Sequence, residues 1–178
     1  MIWRYRTTLV STAAFALIAS GATAASAADR GNTRHHHQQF SSASSRATVV
    51  LGQECSPDGH VCQIPFFGYD TFTGDVAGSQ VNAGAVAVDP STFIGPAVSL
   101  ANFAGTIAGC PGPGSAILRY TVQLGATPGH NIGTFDVVRD SGTGGLRGLH
   151  GRGSLVATPQ PDGSFPSVLE ADLECDGD

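Results

Sequence analysis

Short runs in which apolar and polar residues alternate, separated by glycine and proline, fill the chain from residue 71 onward. In the run 167–174, Leu169, Ala171 and Leu173 share one face of an extended chain. Glu170 lies on the opposite face, as expected for a strand with one buried and one solvated side. The alternation predicts strands at 71–77, 80–88, 98–107, 116–124, 134–139, 154–158 and 167–174.

The segment 133–156 contains a strand, a turn and a second strand in succession. Thr134 and Phe135 suit a pleated, half-buried surface. The turn at 140–145, with the sequence DSGTGG, supplies residues that tolerate positive φ. Turns rich in proline and glycine separate the other segments, and no long helical periodicity follows residue 27. The predicted fold class is therefore all-β.

Seven or eight antiparallel strands of this length predict a small closed barrel. Closure is favoured because it removes the unpaired strand edges that promote aggregation. A two-layer sandwich is the alternative. The apolar run 64–67 is predicted to cover one end of the barrel or to form an edge strand, since Pro65 cannot donate a hydrogen bond within a central strand.

The first 27 residues have the pattern of an export signal. Arg4 and Arg6 give a basic start, an apolar run at 9–20 is too short to span a bilayer, and Ala25-Ser26-Ala27 is a cleavage pattern of small residues. An uncleaved anchor is the less favoured alternative. We therefore expect a secreted, extracellular protein that has no membrane contact after cleavage, with its barrel domain at 49–178.

Residues 28–48 are polar and rich in serine, histidine and glutamine, so a disordered leader is predicted. His35, His36 and His37 could hold a metal ion weakly, but adjacent histidines are more often a polar tract. Removal of Arg4 and Arg6 with the signal lowers the formal net charge from −5 to −7. This acidic balance argues against a nucleic-acid partner.

The four cysteines predict two disulfides in an exported chain, for which three pairings exist. Cys55 and Cys62 bracket a turn-like sequence, and Cys110 and Cys175 lie in or beside the β-rich body. The favoured pairing joins Cys55 to Cys62 and Cys110 to Cys175. A zinc site is the poorer alternative, because His60 has no matching set of ligands. No metal or other cofactor is predicted.

Four sequence motifs resemble the bacterial small-barrel proteins grouped around allene oxide cyclase and the plant dirigent proteins. They are TFTGDVAG at 71–78, LANFAGTIAG at 100–109, YTVQL at 120–124 and GTFDVVRDSGTGGLRGLHGRGS at 133–154. Within that group the chain is most similar to secreted bacterial members of unassigned function. The resemblance implies an eight-stranded barrel with an apolar lumen that steers a reactive organic molecule by shape and orientation, as an isomerase or cyclase does. It carries over no catalytic residue.

Candidate lumen residues for ligand binding lie in four of the predicted strands. Arg119 and Asp136 could form a pair inside the barrel that orients a carboxylate or carbonyl, although an outward ion pair is the favoured alternative. The aromatic candidates could line a cavity or fill the core, and they are Phe72, Phe103, Tyr120 and Phe135. Further polar candidates are Tyr69, Asp70 and Glu170. A basic cluster expected at a rim of the barrel consists of Arg147, His150 and Arg152.

Two functions follow from these expectations. The first is an exported barrel that binds a small apolar or amphipathic molecule in its lumen and could isomerise or cyclise it. The second is a non-catalytic carrier, or an extracellular interaction protein with a packed interior. A cavity of roughly 300 Å³ or more with convergent polar groups would favour a ligand site. An exposed apolar barrel wall would favour a homo-oligomer.

Overall fold

The computed structural model describes residues 37–44 and 49–176, and the regular structure of these residues is β throughout. Eleven strands form one sheet. The strands are β1 (His37–Ser44), β2 (Val49–Val50), β3 (Glu54–Cys55), β4 (Cys62–Gly74), β5 (Val76–Val88), β6 (Gly95–Ile107), β7 (Gly114–Thr127), β8 (His130–Val137), β9 (Thr143–Gly144), β10 (His150–Ala157) and β11 (Ser167–Glu174).

Eight of these strands close into an antiparallel barrel. The order around the ring is β1, β11, β10, β8, β7, β6, β5 and β4, and β4 pairs with β1 to complete it. The short strands β2 and β3 pair with β4, and β9 pairs with β7. The predicted all-β fold class and the eight-stranded closed barrel are confirmed, and the sandwich alternative is wrong.

The strand β1 was not predicted by the sequence pattern. It pairs with β11 on one side and with β4 on the other. Phe40 points into the core, and the buried amide of Gln38 both donates to and accepts from the backbone of Leu173. The prediction of a disordered leader is therefore wrong for residues 37–44. Strand pairing and the hydrogen bonds of the Gln38 side-chain amide satisfy the polar groups of this segment. The predicted signal at 1–27, the predicted disorder at 28–36 and 45–48, and the weak metal binding considered for His35 and His36 concern residues outside the described ones.

The predicted strand at 71–77 is also wrong, because a hairpin turn interrupts it. The chain reverses between β4 and β5 at Gly74 and Asp75, and Gly74 has a φ of 112° that favours glycine. Phe72 and Val76 both point inward across this turn, so the alternation continues through it and gives no signal of a break. The Asp75 carboxylate accepts a hydrogen bond from the backbone N–H of Gln39.

The apolar run 64–67 belongs to β4 and pairs with β5. Pro65 is tolerated because its other neighbour is only the short β2 region. There the carbonyl of Pro65 accepts a hydrogen bond from the N–H of Leu51 at 3.1 Å. The edge-like position matches one of the two predicted roles for this run.

Both predicted disulfides are confirmed. Cys55 and Cys62 join β3 to β4, and Cys110 joins the β6–β7 connection to Cys175, directly after β11. Two disulfides are typical of a protein that folds in an oxidising compartment.

One end of the barrel is packed solid. The rings of Phe40, Phe72, Phe103 and Phe135 meet edge to face, with centroids 5.5 to 6.1 Å apart. Leu146 and Leu149, in the glycine-rich segment between β9 and β10, are fully buried in the same core. The positive φ of 58° at Asp140 confirms the predicted turn that precedes them. We call this half the closed end.

The outer face of β4, β5 and β6 is apolar and exposed. Val81, Val98 and Leu100 are each more than half exposed. The strand register places Phe67, Ala83 and Leu100 side by side across the three strands. The exposed apolar wall that would favour a homo-oligomer is therefore present, and homo-oligomerisation itself stays a prediction.

Candidate functional site

The end of the barrel opposite the closed end contains a cavity of about 550 Å³. Apolar side chains from β4, β5, β7 and the β10–β11 loop form most of its wall. They include Ile64, Phe66, Val86, Val122, Leu124 and Phe165. The connections at 89–94, 128–129 and 158–166 border its mouth, because Phe93, Gly129 and Pro159 also line the cavity.

Four polar side chains form a connected network deep in this cavity, which we call the polar floor: Asp70, Gln80, Asn82 and Tyr120. The amide nitrogens of Gln80 and Asn82 both donate to Oδ2 of Asp70, at 2.9 and 2.8 Å. The Tyr120 hydroxyl donates to Oε1 of Gln80 at 3.0 Å. The four residues lie on three strands whose inward positions converge above the aromatic core.

Burial raises the pKa of the Asp70 carboxyl above its ordinary value, and the hydrogen bonds from Gln80 and Asn82 offset part of that rise. Burial also raises the pKa of the Tyr120 phenol, against the hydrogen bond to Gln80 and with a smaller contribution from the nearby Asp70. Tyr120 is therefore a neutral hydrogen-bond donor at physiological pH. Asp70 is a carboxyl whose charged form is disfavoured by its apolar surroundings.

Asn82 leaves one acceptor unused. Its Oδ1 is buried and has no hydrogen-bond partner among the described residues. Gly68 faces this amide from β4, and a Cβ added at Gly68 would come within 2.5 Å of the same oxygen. Glycine at this position leaves room for the Asn82 amide beside Asp70.

The predicted lumen pair of Arg119 and Asp136 is wrong. The guanidinium donates two hydrogen bonds to the carboxylate, at 3.0 and 2.9 Å, and the side chains are 63% and 41% exposed on the outer face. Arg119 precedes Tyr120 on β7, and Tyr120 points inward, so alternation turns Arg119 outward. The favoured alternative, a surface ion pair, is what forms.

Removing this ion pair is expected to cost little stability. In a double-mutant cycle of Arg119→Ala and Asp136→Ala, the coupling energy from urea unfolding should be about 1 kcal/mol or less, because water screens both partners. A coupling of about 3 kcal/mol would instead indicate a desolvated pair and contradict the outward placement.

The aromatic candidates divide between the cavity and the core. Phe72 and Tyr120 line the cavity, whereas Phe103 and Phe135 are buried in the packed core and are not in the cavity wall. The interpretation of Phe103 and Phe135 as ligand contacts is therefore wrong, and the filled-core alternative holds for both. Asp70 was a further candidate and lies in the polar floor.

The remaining candidates lie on the surface. Tyr69 is on the outer face of β4, 37% exposed, and Glu170 is on the outer face of β11, as predicted. His150 contacts Glu174 and Asp176 at the rim of the closed end, at 3.5 and 3.8 Å. His37 contacts the Asp172 carboxylate at 3.1 Å. The residues that the structure describes contain no cluster of three or more potential metal ligands.

A family model described as a protein of unknown function, DUF3224, matches residues 67–165. The chain belongs to the DUF3224 family. The matched region contains all four residues of the polar floor and leaves out β1 and β11. No helix among the described residues has the length and apolarity needed to cross a membrane.

A solved structure supports the same fold for the DUF3224 family. The chain is similar to the crystal structure of a DUF3224 protein of unknown function from Shewanella oneidensis MR-1, with 19% identity and a TM-score of 0.55. The similarity covers 78% of this chain and 96% of that one. No curated protein matches the chain. The resemblance to allene oxide cyclase and dirigent proteins is untested by these comparisons and stays a prediction.

Two residues of the polar floor were missed in the sequence. Gln80 and Asn82 occupy inward positions of β5, on either side of the exposed Val81. The signal that could have found them is a polar residue at two successive inward positions of a strand that is otherwise apolar or glycine on that face. Such positions are expensive to bury without partners, so they indicate a network.

Proposed function

We propose that this DUF3224 protein is an exported barrel that binds a small apolar or amphipathic molecule in the cavity above the polar floor. The observation that carries the proposal is a cavity of about 550 Å³ that combines a largely apolar wall with four convergent polar side chains. Ligand sites typically have this size and this combination of surfaces. Isomerase or cyclase chemistry stays a prediction from the sequence resemblance.

The alternative of a fully packed barrel is less well supported. Its core would extend through both ends, whereas the aromatic core here occupies the closed end and a large cavity occupies the other. A cavity of this size that opens to solvent and has a largely apolar wall is typical of a ligand site. The signal-like residues 1–27 and the two disulfides support export.

Filling the cavity is expected to weaken the binding of a neutral apolar dye. Ala97 lines the cavity from β6 and is 7% exposed, so Ala97→Phe places a ring inside it. Val98 follows on the outer face at 56% exposed, so Val98→Phe adds a ring of the same kind outside. In fluorescence titrations with Nile red, Ala97→Phe should weaken binding by about tenfold or more, and Val98→Phe should leave it unchanged.

The outer apolar wall is the competing location for the dye. If Nile red binds both variants equally, the dye sits on that wall and the cavity is not its site. If the wild type does not bind the dye at all, binding of apolar molecules in the barrel is contradicted. Thermal unfolding of each variant shows whether the substitution has been accommodated.

A further inference from the structure

The polar floor leaves one carboxylate oxygen of Asp70 unused, because both described hydrogen bonds to this carboxylate go to its other oxygen. The amide nitrogens of Gln80 and Asn82 donate to Asp70, and the Tyr120 hydroxyl donates to Gln80. Both of the Asp70 bonds go to Oδ2, so Oδ1 has no partner among the described residues. The Asn82 Oδ1 also has no partner among the described residues, but it is buried against Gly68 and is not accessible from the cavity. A bound molecule therefore meets one unused carboxylate oxygen at the deep end of the cavity.

The charges of the described residues around the cavity are acidic. Asp70 lines its deep part, His130 lines it beside Gly129, and no arginine among the described residues lines it. The loops at the mouth add Asp89 and Asp162. Hydrogen bonds from the hydroxyl and the backbone N–H of Ser91 lower the pKa of Asp89, so this carboxyl stays charged. A cation is drawn toward such a mouth, and an anion is repelled.

The apolar wall and the deep polar floor also fix an orientation. Between the floor and the mouth the wall is formed by side chains such as Phe66, Val122 and Leu124. A molecule with a polar head and an apolar tail satisfies both parts only if its head goes in first. The tail then covers the apolar wall, and its end lies near Phe93 at the mouth.

From this geometry we infer that the ligand is an apolar molecule with a protonated amine, inserted head first so that its ammonium group contacts Asp70. This inference rests on the proposed function, because it names the ligand class of the same cavity. An ammonium group carries three donors and a positive charge, so it can donate to the free Oδ1 of Asp70 and offsets the burial that disfavours the charged form of this carboxyl. The serine hydroxyls at Ser42 and Ser99 also line the cavity, and they can donate or accept, so they do not discriminate between head groups.

The same site disfavours a carboxylate head. A carboxylate has only acceptors, and it would face the Asp70 carboxyl across a cavity of low dielectric, where repulsion is stronger than in water. An alcohol head can donate one hydrogen bond but provides no charge. The predicted order of affinity is therefore amine, then alcohol, then carboxylate, for tails of equal length.

The test compares decylamine, decanol and decanoate by isothermal titration at neutral pH. The protein is expressed from its full sequence and purified with its disulfides formed. Decylamine should bind about tenfold or more tightly than decanol, and decanoate should bind most weakly. Asp70→Asn should remove the preference for decylamine over decanol. Glu170→Gln removes an outward carboxylate instead, and should keep the preference.

The outcomes separate the inference from the function on which it rests. Equal binding of the three compounds, or strongest binding of decanoate, overturns the amine inference and leaves ligand binding in place. Binding of none of them, together with no binding of Nile red, contradicts the proposed function itself. Retention of the amine preference in Asp70→Asn also overturns the inference. Because burial penalises the charged carboxylate, this variant should unfold at no lower temperature than the wild type at neutral pH.

Discussion

Replacing Phe135 with alanine is expected to lower the free energy of unfolding by about 3–5 kcal/mol, as is typical for truncation of a buried phenylalanine. Phe135 is 2% exposed and contacts Tyr120 and Phe40, with ring centroids 5.4 and 6.1 Å away. Its ring also lies against Gly153, where an added Cβ would come within 2.5 Å of it. The Gly153 backbone on one side and the aromatic rings on the other cannot move far. The cavity left by the alanine side chain therefore stays largely open.

The matched control is Ile132→Ala on the same strand. Ile132 points outward from β8 and is 41% exposed, so its truncation should cost about 1 kcal/mol or less. Urea denaturation followed by far-ultraviolet circular dichroism gives both values. Similar losses for the two variants would mean that the closed end does not hold the core of the barrel.

Replacing Cys110 and Cys175 together by serine is expected to cost about 4 kcal/mol. The bond closes a loop with a sequence separation of 65, and the chain-entropy model gives a larger effect for longer loops. The bond also holds the end of β11 at the closed end, where Cys110 and Cys175 pack against the core. Loss of the bond therefore raises the conformational entropy of the unfolded chain. It also removes a covalent link that holds β11 at the closed end.

The second disulfide provides the internal comparison. Cys55 and Cys62 are separated by 7 positions, so the double serine variant should lose about 2 kcal/mol in the same model. Thermal or urea unfolding of the two double variants under identical oxidising conditions measures the difference. An equal loss, or a larger loss for the short loop, would contradict loop entropy as the origin of the stabilisation.

Alternation of apolar and polar residues predicted most of the barrel. It failed in β1, where a polar residue occupies a buried position. The core positions of β11 are correct because Leu169, Ala171 and Leu173 differ so plainly from their acidic neighbours. The strand β1 was missed because its inward positions include Gln38, which resembles a residue of a solvated segment. Its burial depends on partners in β11, which are 135 residues away in sequence and invisible to a local pattern.

The site was predicted less well than the fold. Arg119 and Tyr120 were both taken as lumen residues, although neighbours on a strand must point to opposite sides. Asp70 was identified as a residue that could act in an apolar lumen, and the cavity places it there. Its amide partners are contributed by the next strand through a register that the sequence does not specify, so the network could not be predicted.

The pairing of β1 with β11 decides when the ring can be completed. His37 lies opposite Asp172, so the first and last strands of the barrel are neighbours in space although most of the chain separates them. The ribosome must therefore synthesise the chain through β11 before β1 and β11 can pair. Hairpins that form earlier, such as β4–β5, have unpaired strand edges until then. Ring completion is thus a late step in folding, because it requires both β1 and β11.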